Sequence, residues 1–395
     1  MSHDAMASER AHLRSALLAA IAHWPLDRPA ADFEALALAL FRYQARAIPA
    51  YAAVLAARHV DAAQVRDWRD IPLVPVSAFK RQPFCTEAAR AHPVVTFETS
   101  GTSDGQPGRL LLGETALYDA ALHTAFGHWV VPDRHPQSLR CISLVPTEQA
   151  RPHSSLGYMV RQVMARWDDG GGSWHVGLQG DADGLDVQGF VEACERATRQ
   201  GAAVLLLATT VALALLLQRL PADWQVQLPP GSRLMDTGGP KGRTLETSRA
   251  HQHRLLVDKL GLHPAWMVGE LGMTELGSQR YETSLRDAWL QGGAAPVANA
   301  PRSAWDEQAR ERYVAPPWLR SRLLAVPGQS APGNQAQGLV GHVDLANLDA
   351  LAFIQTADLG HLDRDGGLHL VGRLPRAEWR GCGLDAEEIA AAPRR

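Results

Sequence analysis

Apolar residues recur at three- and four-residue spacings over the first sixty positions. RAHLRSALLAAIAHW (10–24) and DFEALALALFRYQARAIPAYAAVLAAR (32–58) set Leu and Ala at that interval with charges between them, which predicts helices. Pro72 and Pro75 interrupt the pattern, so IPLVPVSAFK (71–80) is expected to be extended. VVTFE (94–98) and LRCISLVP (139–146) read as strands, and Ser155–Arg166 as a helical patch. VEACERATRQG (191–201) is a helix closed by Gly201, followed by the buried strand AVLLLAT (203–209) and the helix VALALLLQRL (211–220). SRLMDTGG (232–239), HPAWMVGELGM (263–273) and GLVGHVDLA (338–346) continue as strands or strand–loop units, with AFIQTADLG and GLHLVGR last. Alternation of helix and strand predicts an α/β architecture with largely parallel pairing. Residues 291–337 read as loop with one short helix near Ala304–Arg312.

Composition narrows the class. The chain is 46% hydrophobic and 21% charged with 11 Trp, enough for a sizeable core. A net charge of −3 and the lack of any like-charge block leave nucleic acid out as an expected partner. The most apolar run, VLLLATTVALALLL (204–217), is 14 residues long, against the about 20 a bilayer span requires. It is expected in a core or along a pocket. The N-terminus lacks the features of a secretory signal, and Cys85, Cys141, Cys194 and Cys382 make no CxxC. Reduced thiols in a soluble cytoplasmic protein are the expectation. The histidine pairs His123/His128 and His251/His253 lack a third ligand at helical spacing, so zinc is not expected.

TFETSGTSDGQPGR (96–109) is the first segment that suggests chemistry. Glycines and small hydroxyl residues after a strand let N–H and O–H donors converge on phosphate oxygens. It has no GxxxxGK[ST] signature, and by itself an exposed turn fits it as well. Downstream, in order, stand MDTGGPKGR (235–243), GELGMTELGSQRY (269–281) and TADLGHLDRDGGLHLVGR (356–373).

Together these four segments resemble the adenylate-forming superfamily of acyl-CoA ligases, peptide-synthetase adenylation domains and luciferase. The resemblance implies an α/β adenylation domain over 1–371, with a helical region at 1–70, and ATP and Mg²⁺ as cofactors. It places Thr99, Ser100, Gly101, Thr102 and Ser103 on the ATP phosphates and Gly238 and Gly239 beside adenine. Thr274 contacts the ATP and Glu275 stands near Mg²⁺; Asp358 holds the ribose hydroxyls, and Arg373 lies near phosphate or ribose. Lys80 and Lys241 fall inside motifs of a lysine-poor chain, which favours phosphate contacts.

Within the superfamily the closest match is the acyl-protein synthetase family, the fatty-acid-activating component of bacterial bioluminescence, with phenylacetate–CoA ligases as cousins. PVSAFK (75–80), SSLGYM (154–159), TGGPKGR, GMTELGSQRY and AEWRGCGLDAEEI (377–389) carry this. One departure is an inserted Asp104 with no Lys after the Pro, leaving Arg109 as the available cation. An acidic group beside a triphosphate is unfavourable unless it faces away or reaches Mg²⁺. The acyl group is expected against Ser155, Gly157, Tyr158, the 204–217 run, Trp266 and Met267, residues that equally suit a core.

Only 22 residues follow Gly372-Arg373, too few for the mobile C-terminal domain such enzymes usually carry with its catalytic lysine. A hinge and short tail (372–395) are expected instead, and Lys80 is the candidate for the lysine's role. The tail holds Cys382 between Gly381 and Gly383, near Arg376 and Arg380, which favour a thiolate. By resemblance this cysteine accepts the acyl group as a thioester, for delivery to a reductase or other acceptor protein. Two alternatives share the chain's features: acyl transfer to CoA, a carrier protein or an amine, and a degenerate ligase kept as a binding module.

Overall fold

The computed structural model describes residues 3–99, 107–177, 184–238, 248–292, 311–326 and 337–374. In chain order the helices are α1 (His3–His23), α2 (Phe33–Ala47), α3 (Pro49–Ala57), α4 (Glu87–Ala91), α5 (Ala116–Trp129), α6 (Ser155–Trp167), α7 (Val187–Gln200), α8 (Thr210–Arg219), α9 (Arg249–Leu260) and α10 (Ser284–Gly292). The strands are β1 (Val74–Pro75), β2 (Val95–Glu98), β3 (Arg109–Leu112), β4 (Arg140–Leu144), β5 (Ser173–Trp174), β6 (Val204–Thr209), β7 (Arg233–Thr237), β8 (Met267–Leu271), β9 (Arg280–Tyr281), β10 (Arg312–Tyr313), β11 (Leu319–Leu324), β12 (Gly338–Asp344), β13 (Phe353–Leu362) and β14 (Leu368–Arg373). The second helical run of the sequence breaks in two at Ile48, whose φ of −111° and ψ of 98° are extended. Pro49 forces this on its predecessor and then opens α3 at its first turn.

The chain divides into two compact units, each drawn from separated segments. The first comprises 1–125, 273–279 and 314–395; the second comprises 126–272 and 280–313. In the second unit β5-β4-β6-β7-β8 run parallel, and β9 pairs antiparallel with β8. The 204–217 run splits at Thr209, whose hydroxyl accepts from the Ala212 amide and caps α8. The β6 side chains Val204–Ala208 are all buried, as a parallel strand covered on both faces requires. Phe190 and Cys194 of α7, Leu213 and Leu216 of α8, and Leu256 and Leu260 of α9 pack with Ile142, Leu206 and Leu234 of the sheet. Gly201 closes α7 at φ 65°, the left-handed position that favours glycine.

In the first unit β14-β13-β12-β11 form an antiparallel sheet, with the short β1 parallel to β13. The largely parallel pairing expected from the sequence is met by the second unit, whereas in the first unit the main sheet is antiparallel and β1 on β13 is parallel. Strands 338–373 follow one another through short connections, and such lengths permit hairpins but no crossover. The helix expected at Ala304–Arg312 and the tail from 375 onward lie outside the described residues, apart from Glu311 and Arg312, the latter opening β10. Among the described residues no helix is long and apolar enough to cross a membrane.

Candidate active site

In the first unit β2 and β3 form a hairpin in which Glu98 stands opposite Arg109. The next pair is locked twice: the Thr99 amide donates to the Gly108 carbonyl at 2.9 Å, and the Gly108 amide donates to Thr99 Oγ1 at 2.8 Å. The Gly/Ser/Thr loop thus leaves and returns at one clamped point. Phe79 is buried beside Gly108, since a Cβ on Gly108 would stand 3.5 Å from Phe79 Cβ and 3.3 Å from Thr99 Cγ2. The next residue, Lys80, ends the 3₁₀ turn Val76–Lys80 with an exposed side chain. Ser100, Gly101, Thr102, Ser103 and Asp104 lie outside the described residues.

Asp358 of β13 and Arg373 of β14 are opposite each other in register, with Arg373 Nε 3.4 Å from Asp358 Oδ1. Thr356 Oγ1 fixes the backbone here, accepting from the Asp358 amide at 3.1 Å and donating to the Val340 carbonyl at 2.9 Å. Both charged side chains retain solvent access.

Thr274 and Glu275 lie on a tight turn closed by the Leu276 amide on the Met273 carbonyl, 3.1 Å. Glu275 is buried, and its carbonyl accepts from Asn347 Nδ2 at 2.8 Å. Three residues on, Ser278 Oγ donates to Asp344 Oδ1 at 2.7 Å and accepts from Trp318 Nε1 at 3.1 Å. Burial pushes the Asp344 carboxyl up to about 6, against the Ser278 hydroxyl and neighbouring amides that favour its charge. Asp344, Asn347 and Gln44, which contacts the same segment, were not among the sequence candidates. A signal existed: Gln44 falls on the buried stripe of α2 with Phe33, Ala37 and Phe41.

In the second unit Thr209, Thr237 and Glu270 stand in register at the carboxyl ends of β6, β7 and β8, the edge where parallel α/β sheets take ligands. Thr237 donates its hydroxyl to the Glu270 carboxylate, and Thr210 donates to the Gly238 carbonyl. Gly238 has φ 83°, which turns the chain sharply off β7. Residues 239–247, with Gly239 and Lys241, lie outside the described residues. Asp236 and Arg249 flank that segment and meet in a bidentate pair of 2.7 and 2.8 Å, and Arg249 also grips Glu282 at 2.6 and 2.9 Å. Burial opposes the Asp236 charge, and Arg249 with His253 more than offsets it, holding the carboxyl below the usual range.

Ser155 begins α6, whose cap Ser154 accepts from the Gly157 amide at 3.0 Å. Tyr158 is buried under the Arg161 guanidinium. Trp266 and Met267 are fully packed: the Arg233 guanidinium lies 4.5 Å from the Trp266 ring, and Met267 joins the sheet core.

Among the described residues no three His, Cys, Asp or Glu side chains gather as a metal cluster. A Mg²⁺ ion carried on nucleotide phosphates needs only one or two protein oxygens, so a single carboxylate such as that of Glu275 would meet that demand without a cluster. Cys85, Cys141 and Cys194 are buried, and burial raises each thiol, Cys85 to about 11 and Cys194 to about 12. Cys382 lies outside the described residues.

The chain matches no protein-family model and no curated protein sequence. Its fold is similar to that of 2-hydroxyisobutyryl-CoA ligase in complex with 2-HIB-AMP and CoA in the thioesterification state. The identity is 12% and the TM-score 0.59, over 89% of this chain and 70% of that one. The open conformation of that ligase gives 11% identity and a TM-score of 0.58, over 88% and 76%. ATP-bound MatB from Rhodopseudomonas palustris matches at 15% identity and a TM-score of 0.43, over 71% of this chain. The chain spans about half the length of MatB, 48%. At 11–12% identity the similarity to the 2-hydroxyisobutyryl-CoA ligase structures shows the α/β fold and nothing further.

Proposed function

We propose that the chain is an acyl-adenylate-forming ligase acting on a carboxylic acid, a fatty acid by the family resemblance. The carboxylate attacks the α-phosphorus of ATP, the bond to the β-phosphate oxygen breaks, and pyrophosphate leaves. The loop clamped by Thr99 and Gly108, through Thr99–Ser103, cradles the phosphates, with Lys80 and Lys241 as further cations. Asp358 accepts the ribose hydroxyls, Arg373 neutralises nearby charge, and Gly238 with Gly239 lets the backbone approach the base. Mg²⁺, when bound, would supply charge neutralisation at the phosphates; Glu275 would hold it, and Thr274 would contact the ATP. The protein's contribution is position and electrostatics, the terms that dominate phosphoryl chemistry. Ser155, Gly157, Tyr158, Trp266 and Met267 are proposed for the surroundings of the acyl group.

In the second half-reaction the Cys382 thiolate attacks the acyl carbon, AMP leaves with the bonding electrons, and an enzyme thioester forms. An acceptor protein, a reductase by the family resemblance, then takes the acyl group. The observation that carries the adenylation reading is the paired Asp358 and Arg373 on a fold shared with a ligase solved with its acyl adenylate. That ligase was also solved with CoA, which favours CoA as a second reading for the acceptor.

The test is carboxylate-dependent exchange of labelled pyrophosphate into ATP across a panel of acids, with intact-mass analysis of the protein. Exchange with a mass increase lost in Cys382→Ser supports both steps. Exchange and CoA acylation that survive this substitution support the second reading. No exchange with any acid refutes adenylation and favours a binding module.

A further inference from the structure

We propose that Asn347, held by Gln44, is a positioning residue for the Thr274–Glu275 turn, and that Asp344 fixes the turn's far end. The proposal rests on the nucleotide-side role given above to Thr274 and Glu275.

The turn has little regular structure, so its shape depends on what its backbone groups meet. Asn347 Nδ2 donates to the Glu275 carbonyl at 2.8 Å and to the Leu351 carbonyl at 3.3 Å. The opposite amide orientation would set an oxygen against both carbonyls, so the two acceptors define the nitrogen. Asn347 is itself held from behind. Gln44 Nε2 donates to the carbonyls of Asn347, Leu348 and Ala350 at 2.8, 2.9 and 2.8 Å, and its Oε1 accepts from the Ala352 amide at 3.0 Å. Arg10 adds a bidentate grip on Asp349 at 2.7 and 2.6 Å. At the far end Asp344 Oδ1 accepts from Ser278 Oγ at 2.7 Å and from the Ala346 amide at 3.0 Å. Between the two anchors Gly277 sits so close that a Cβ would lie 2.8 Å from Asn347 Oδ1.

This apparatus exceeds what a surface turn needs. Gln44 and Asn347 are both buried; Gln44 holds the backbone of residues 347–352, and Asn347 passes that hold on to the Glu275 carbonyl. A carboxylate that faces a metal–phosphate group must be held within about 0.5 Å of its working position, and such placement requires a locked support. Displacement by about 1 Å lowers turnover on the order of 100-fold.

The test uses the full chain with Asn347→Ala, Ser278→Ala and, as the conservative partner, Ser278→Thr. Amide hydrogen exchange reads residues 274–279, and pyrophosphate exchange with an acid the wild type accepts reads kcat and KM. Both alanine variants are expected to exchange these amides at least about tenfold faster. Their kcat is expected to fall about tenfold or more while KM for ATP stays within about threefold. Ser278→Thr, which keeps the hydroxyl, should restore both readings. Folded alanine variants with wild-type amide protection or wild-type kcat overturn the proposal; should Asn347→Ala not fold, the Ser278 pair decides. If wild type lacks pyrophosphate exchange altogether, the adenylation reading fails and takes the catalytic part of this proposal with it. Amide protection still decides whether Asn347 and Asp344 lock the turn.

Discussion

Asp358 and Arg373 face each other across β13 and β14, yet their side chains are 34% and 63% exposed and Nε stands 3.4 Å from Oδ1. An ion pair this wet contributes about 0–1 kcal/mol to stability. Arg373→Ala is therefore expected to shift Tm by less than about 3 °C. If the pair serves ATP, kcat/KM for the nucleotide falls at least about tenfold in Arg373→Ala, and Asp358→Asn behaves alike. Thermal melts beside pyrophosphate exchange check this, and a destabilised but fully active variant would make the pair structural.

Thr99 offers a cleaner separation of shape from charge. Its Oγ1 accepts the Gly108 amide at 2.8 Å, closing the base of the loop. Thr99→Ser keeps this acceptor. Thr99→Val leaves the amide without its partner, at a cost of about 1–3 kcal/mol. The expected outcome is a KM for ATP raised several-fold in Thr99→Val and near wild type in Thr99→Ser. Equal KM values in the two variants would show that the clamp does not shape nucleotide binding.

What the sequence disclosed and what it hid follow from the range of the interactions. The break in VLLLATTVALALLL is local: buried β-branched and Leu positions give way at Thr209, a residue suited to cap α8. Gly201 likewise ends α7 where its residue type suggests. The motifs around Thr99, Thr274 and Asp358 are legible because each is contiguous. Gln44, Asp344 and Asn347 are not, since Gln44 meets partners some three hundred residues away. Their trace in the sequence is a polar side chain where the pattern calls for an apolar one. The antiparallel direction of β11–β14 was not legible, because periodicity reports burial and leaves the neighbour's direction open.

The three described cysteines limit where an acyl group can be captured. Burial raises Cys85 to about 11 and Cys194 to about 12, and lifts Cys141 well above the ordinary thiol. Near neutrality their thiolate fractions are then about one part in a thousand or less. Native Cys382→Ser is expected to resist a thiol reagent until it is unfolded, and an acyl label found on Cys85, Cys141 or Cys194 after turnover would refute capture by the tail cysteine. Reagent stoichiometry with and without denaturant, followed by peptide mapping, checks both.

Asp344 ties stability to pH. Burial raises its carboxyl from 3.8 to about 6 in the folded chain, despite the Ser278 hydroxyl and the amides of Ala346, Gly277 and Ser278. The folded state therefore binds this proton more tightly than the unfolded state does. Its contribution is full below the unfolded value and is lost as pH rises through about 6. The shift corresponds to about 3 kcal/mol at most. Asp344→Asn stays neutral throughout and keeps an oxygen for Ser278. Its stability relative to wild type should rise by up to about 3 kcal/mol between pH 4 and pH 7, whatever constant offset the new amide introduces. Denaturant titrations of both proteins across that range measure the difference. A difference independent of pH would mean that Asp344 keeps its ordinary carboxylate range, and that the Ser278 and backbone donors fully compensate its burial.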